Sequence, residues 1–108
     1  MNNYLSIITL NINGLNATIK RYRIAEWIRK HDPHICCLQE THLRTKDLHR
    51  LKVKGWKQIF QANGEEEKAG VAILISEKIE FKRRAIKRDP EGHFIILKGR
   101  IHPEHITL

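Results

Sequence analysis

YLSIITLNINGLNATIKRYRIAEWIRKHDPHICCLQET, residues 4–41, is the stretch whose reading decides the fold. Residues 4–11 are apolar and β-branched over the length of one strand, and they read as buried. The run stops at Asn11, and Asn13-Gly14 marks a turn. From about residue 17 to 31 the period changes. Ala17, Ile24, Ala25 and Ile28 gather on one helical face, with Lys20, Arg23 and Lys30 mostly away from it. Asp32-Pro33 ends the helix, because the residue before a proline avoids helical geometry. A second buried strand, residues 35–39, follows and ends at Glu40. Strand, helix, strand is a βαβ-type unit with parallel pairing.

Further along, residues 42–54 are polar and basic, with at most a short helix near 47–51. Strands are expected over 56–61, 71–76, 79–87 and 93–101. Turns fall at Asn63-Gly64 and at Asp89-Pro90-Glu91-Gly92. Within the last strand Phe94, Ile96, Lys98 and Arg100 alternate with Ile95, Leu97 and Gly99. This order favours a helix-bearing, β-rich α/β (α+β) domain with antiparallel hairpins over a doubly wound parallel sheet. A further strand signal begins at 105–108, and an open strand leaves an unpaired edge. The chain therefore reads as the front part of a longer domain.

The 108 residues carry 20 Lys+Arg against 12 Asp+Glu, a formal charge of +8, and 41% are hydrophobic. One domain fits that length, and the apolar fraction suits a core. No apolar run reaches the roughly 20 residues of a membrane helix, so no membrane partner is expected. The basic surplus points to a polyanion, with nucleic acid ahead of anionic lipid. Cys36 and Cys37 are adjacent and point to opposite faces of a strand, so a disulfide between them is disfavoured. With no other cysteine, a reducing compartment is expected. The N-terminus lacks the pattern of a secretory signal, and an intracellular monomer is the simplest expectation.

Two polar residues, Asn11 and Glu40, end the two buried strands. If those strands are parallel, both side chains emerge at one rim, where α/β sheets place ligands. A carboxylate there suits Mg²⁺, which takes one or two protein carboxylates with waters and phosphate oxygens. Spacing alone favours the plainer reading, in which Glu40 begins a solvated loop and Asn11 precedes a turn.

TLNINGL (residues 9–15), followed by CCLQETH (36–42), resembles the exonuclease–endonuclease–phosphatase superfamily. LNINGL and LQETH look like its first two signatures. DPHICCLQETHLRTKDLHRLKVKGWKQIFQANGEEEKAGVAILIS (32–76) is similar to the endonuclease domain of LINE-type (non-LTR) retrotransposon polyproteins, and IKRDPEGHFIILKGRI (86–101) matches that subfamily too. The resemblance implies a two-sheet β-sandwich flanked by helices, of which residues 1–108 would be the N-terminal part. It implies Mg²⁺ (or Mn²⁺) on Glu40, a phosphate contact from Asn11, and supporting positions at Gln39 and Thr41. The activity implied is Mg²⁺-dependent hydrolysis of DNA phosphodiesters, a target nick made in the nucleus. The family's Tyr, its Asp/Asn pair and its general-base Asp-His pair would all lie beyond Leu108. The resemblance thus implies a chain that is inactive alone. Two alternatives stay open: a non-catalytic nucleic-acid-binding remnant, and a retrotransposon-derived reading frame without a cellular role.

His42, Arg44, Lys46 and Arg50 follow Glu40 closely and are candidate DNA contacts, within a basic segment that continues to Lys57. Lys82-Arg83-Arg84 with Lys87-Arg88 reads first as an edge strand protected by charge, and second as a phosphate-tracking run or nuclear address. The histidines show no regular metal-ligand spacing. Trp27 and Trp56 read as packing residues, and Gly70 as easing a tight turn or close strand packing.

Overall fold

A computed structural model describes residues 4–43, 50–64 and 69–103. Strand β1 (Ile7–Asn11) leads into helix α1 (Thr18–His31) and strand β2 (Ile35–Gln39). Then come β3 (Gln58–Ala62), β4 (Val71–Ile75), β5 (Ile79–Arg88) and β6 (Ile95–Pro103). They form a four-stranded sheet of order β1-β2-β4-β3 and a separate β5-β6 hairpin. β1 and β2 are parallel, as the intervening helix requires. β4 pairs antiparallel with β2 on one side and β3 on the other.

The helix starts after Ala17 without a side-chain cap and stops at Asp32, whose backbone is left-handed (φ 49°) and whose N–H donates to the Ile28 carbonyl. Arg29, Lys30 and His31 fill its last turn, where positive charge complements the exposed carbonyls. Arg21 Nη1 donates to the carbonyls of Leu15 and Asn16 at 2.8 and 2.7 Å, pinning the chain that enters the helix.

Register assigns the two faces of the sheet. Leu10, Cys36, Leu38, Ala72, Leu74 and Ile59 pack with Ala25 and Ile28 of α1 and with Leu43, Leu51, Val53 and Trp56. Trp56 also donates from Nε1 to the Pro33 carbonyl at 2.9 Å, inside the protein. Trp56→Phe, which leaves that carbonyl without its donor, is expected to lower stability by about 1–3 kcal/mol in urea unfolding. On the other face Ile35, Phe60, Ile73 and Ile75 meet Ile79, Phe81, Leu97 and Ile101 of the hairpin. Phe60 and Phe81 cross edge-to-face at 5.9 Å, an aromatic contact between the two sheets. The architecture is a two-sheet α/β sandwich with a helix outside.

The first strand is shorter and more open than its composition suggests. It begins at Ile7 and alternates exposed and half-buried positions, with Ile7 61% exposed. The reason is topological. β1 is a sheet edge, and the hairpin covers the β4-β3 side of its inner face. The expected strand over 56–61 shifts to Gln58–Ala62, because Val53 and Trp56 close a tight turn first. The short helix expected near 47–51 falls mostly outside the described residues.

Candidate active site

Parallel pairing places Asn11 directly opposite Gln39, so Glu40 is the next residue beyond the paired strand ends. Asn11, Gln39 and Glu40 line one open cleft of about 410 Å³, together with Ala69, Gly70, Val71, Gly92 and His93. The sheet edge thus brings together the carboxylate and amide that spacing alone left as an unremarkable loop and turn.

Backbone hydrogen bonds extend beyond the strand ends and hold this rim. Ile12 N–H donates to the Gln39 carbonyl, Gly14 to Glu40 and Leu15 to Thr41, at 2.8–2.9 Å. Thr41 N–H donates to Gly70 and His42 to Ala69, while Gly70 donates to Gly92 at 2.8 Å. Asn16 Nδ2 adds a bond to the His42 carbonyl at 2.7 Å. Four segments distant in sequence are therefore laced side by side around the cleft.

The rim is also where the backbone departs from ordinary geometry. Asn13, Glu40 and His42 hold left-handed φ values of 56°, 54° and 53°. For Glu40 and His42, which carry full side chains, that conformation costs roughly 1–2 kcal/mol each. Thr41 Oγ1, His42 Nε2 and Asn63 Oδ1 are buried here without hydrogen-bond partners among the described residues. Left-handed non-glycine residues and unpaired buried polar atoms are thus concentrated at this rim among the described residues.

The remaining candidates separate. Thr41 is buried and does not itself line the cleft, but its hydroxyl lies close beside Gly70, which does. His42 is half-buried, its Nδ1 near Gly14. Arg50 is exposed. Arg44 and Lys46 lie outside the described residues. Gly92 and His93, which the sequence did not mark as site residues, reach the cleft through the β5-β6 turn. In that turn Asp89, Glu91 and His93 bring ligand atoms within 4.8 Å of one another. His93 N–H donates to Asp89 Oδ2 at 2.9 Å, and its Nδ1 lies 3.5 Å from that oxygen. Spacing in a regular element does not signal this group, because a turn folds alternate residues together.

Thiol chemistry is not available to the cleft. Burial, with the neighbouring Cys37 adding to it, pushes the Cys36 thiol up to about 12, and burial raises Cys37 as well. Both stay protonated at neutral pH, and Cys36 faces the helix side of the sheet.

Fold and cleft define an α/β sandwich that gathers hard oxygen and amide donors at the strand ends of its main sheet. The Endonuclease/Exonuclease/phosphatase family profile matches residues 8–105, and the chain belongs to that family. Over 44 residues it is 43% identical to the DNA repair nuclease APEX1 of Danio rerio, spanning 41% of this chain and 14% of that protein. The fold is similar to that of the AP endonuclease LMAP from Leishmania major, with a TM-score of 0.66 and 19% identity. That likeness covers 86% of this chain and 34% of the Leishmania chain. The chain thus spans about a third or less of the relatives it matches.

Proposed function

We propose that the cleft binds a divalent cation, Mg²⁺ or Mn²⁺, at Glu40 and seats a DNA phosphodiester against Asn11. The observation that carries this reading is the convergence of Asn11, Gln39 and Glu40 in one cleft from the ends of parallel strands. The donor set fits the ion: a carboxylate with carboxamide oxygens beside it, all hard, in an open space that leaves room for water and phosphate oxygens. Bound there, a divalent ion supplies Lewis-acid polarisation of phosphoryl oxygens. Glu40 holds the charge that attracts the cation. Asn11 donates from its amide to a phosphate oxygen, and Gln39, paired beside it, fixes the direction of approach. Thr41 braces the left-handed turn through its backbone bonds to Leu15 and Gly70.

In this reading residues 1–108 form the front part of an endonuclease domain of LINE-type retrotransposon origin, acting on DNA in the nucleus. Support for the origin comes from the similarity over 32–76 and 86–101. Among residues 1–108, none matches the family's general base. General acid–base help is worth about 10²–10⁴-fold, so the 108 residues alone are expected not to nick DNA. A nucleic-acid-binding remnant is the second reading, favoured by the charge of +8.

Mn²⁺ binding, followed by electron paramagnetic resonance, tests the cleft without requiring turnover. Wild type is expected to bind the ion, and Glu40→Gln to weaken binding roughly tenfold or more. Equal Mn²⁺ affinity in the two proteins would remove Glu40 from the site. Supercoiled-plasmid nicking by folded wild-type chain, lost in Glu40→Gln, would overturn the expected silence.

A further inference from the structure

We propose that the outer face of the β5-β6 hairpin is a second DNA surface, gripping the phosphate backbone of a duplex beside the cleft. It takes nucleic acid as the ligand from the reading above, but it uses different residues. Register makes the face. Lys82 stands opposite Arg100, Ala85 opposite Lys98, and Lys87 opposite Ile96. Because Phe81, Leu97 and Ile101 turn inward to the main sheet, alternation sends Lys82, Lys87, Lys98 and Arg100 outward, and all four are exposed.

One acidic side chain tempers this strip, Glu80, which lies 3.4 Å from Lys82. Among the described residues Lys87, Lys98 and Arg100 form no ion pair. Lys82 and Arg100 face each other directly, with Glu80, Ile101 and His102 completing an open notch of about 380 Å³. Like charges opposite each other destabilise a strand pair. A polyanion relieves that repulsion. From Lys82 to Lys87 the strip runs about 15 Å, an axial length over which one DNA strand carries about four phosphates.

Edge protection, the plainer reading of a basic strand, needs charge along one strand. Here the charge is shared across two strands, with Lys82 and Lys87 on β5 and Lys98 and Arg100 on β6. Position favours DNA over a lipid surface. The turn that joins the two strands supplies Gly92 and His93 to the cleft, so a duplex seated at Glu40 lies beside the hairpin.

The test is fluorescence anisotropy of a labelled DNA duplex across a salt series, using the full 108-residue chain. Lys98→Ala/Arg100→Ala is expected to weaken low-salt binding about tenfold and to reduce the log–log salt slope by about 2. Arg23→Ala/Lys30→Ala, exposed on α1, removes the same charge and is expected to leave the slope unchanged. Mn²⁺ binding at the cleft should persist in the hairpin variant, with an unfolding midpoint equal to or above wild type. Should that variant fail to fold, Lys87→Gln repeats the test, with an expected slope change of about 1. Equal losses in the hairpin and α1 pairs would overturn the proposal. So would unchanged binding in the hairpin variant, or attachment to phosphatidylserine vesicles with no affinity for DNA. Failure of the cleft reading shows separately, as Mn²⁺ binding that ignores Glu40→Gln.

Discussion

Gly92→Ala is expected to lower the stability of the chain by about 2–5 kcal/mol, the sum of a left-handed backbone cost and an overpacking cost. Gly92 has φ +76°, where an L side chain is strained, and it is buried. An added Cβ would press on backbone atoms, meeting Gly64 N and lying 2.8 Å from the Asn63 carbonyl carbon and 3.1 Å from Gly70 N. Backbone cannot swing aside as the tip of a flexible side chain can. Its carbonyl also receives the Gly70 N–H, so any displacement is passed to the strand that borders Glu40. Gly55→Ala separates the two contributions. Gly55 has φ +100° but nothing within 4 Å of the added atom, so only the backbone cost applies. Urea unfolding should therefore rank wild type above Gly55→Ala and Gly55→Ala above Gly92→Ala. Equal losses in the two variants would show that the packing at Gly92 is loose.

The same rim shows what sequence can and cannot convey. The β1-α1-β2 unit is legible, because a change of hydrophobic period between Asn13-Gly14 and Asp32-Pro33 reports local geometry. From that unit alone Asn11 and Glu40 fall at one rim, as the parallel register places them. The insertion of β4 between β2 and β3 leaves no local trace, since pairing order depends on which faces find cover after collapse. The openness of β1 has the same origin: Ile7 has the composition of a buried strand but occupies an edge. Gly70 is legible as a point of close approach, yet its partners Thr41 and Gly92 come from distant turns. His93 joins the cleft because the β5-β6 turn packs on Gly70 and on Asn63-Gly64. On the hairpin, alternation alone puts Lys98 and Arg100 on one side of β6. That they share this side with Lys82 and Lys87 depends on cross-strand register and on the bulge between Arg83 and Ala85.

Alkaline pH is expected to destabilise the protein through Cys36. Its side chain is fully buried between α1 and the sheet, in a cluster with Ile28, Leu38 and Leu74. Desolvation, aided by Cys37, moves the thiol from an ordinary 9.0 to about 12 in the folded chain. Between those values the unfolded chain gives up a proton that the folded chain retains. The unfolded state thus binds fewer protons, and stability falls as pH rises. The contribution is present in full below pH 9 and declines by up to about 4 kcal/mol as pH 12 is approached. Lysines and tyrosines titrate over the same range, so the comparison must be internal. Cys36→Ala loses some packing at every pH but removes this titration. Urea unfolding under reducing conditions should show wild type losing about 1 kcal/mol more than Cys36→Ala between pH 9 and pH 10. Parallel pH profiles for the two proteins would overturn the claim that burial between α1 and the sheet holds the thiol protonated. The raised thiol pKa and the position of Cys36 on the helix side of the sheet keep this cysteine out of the cleft that Asn11, Gln39 and Glu40 line.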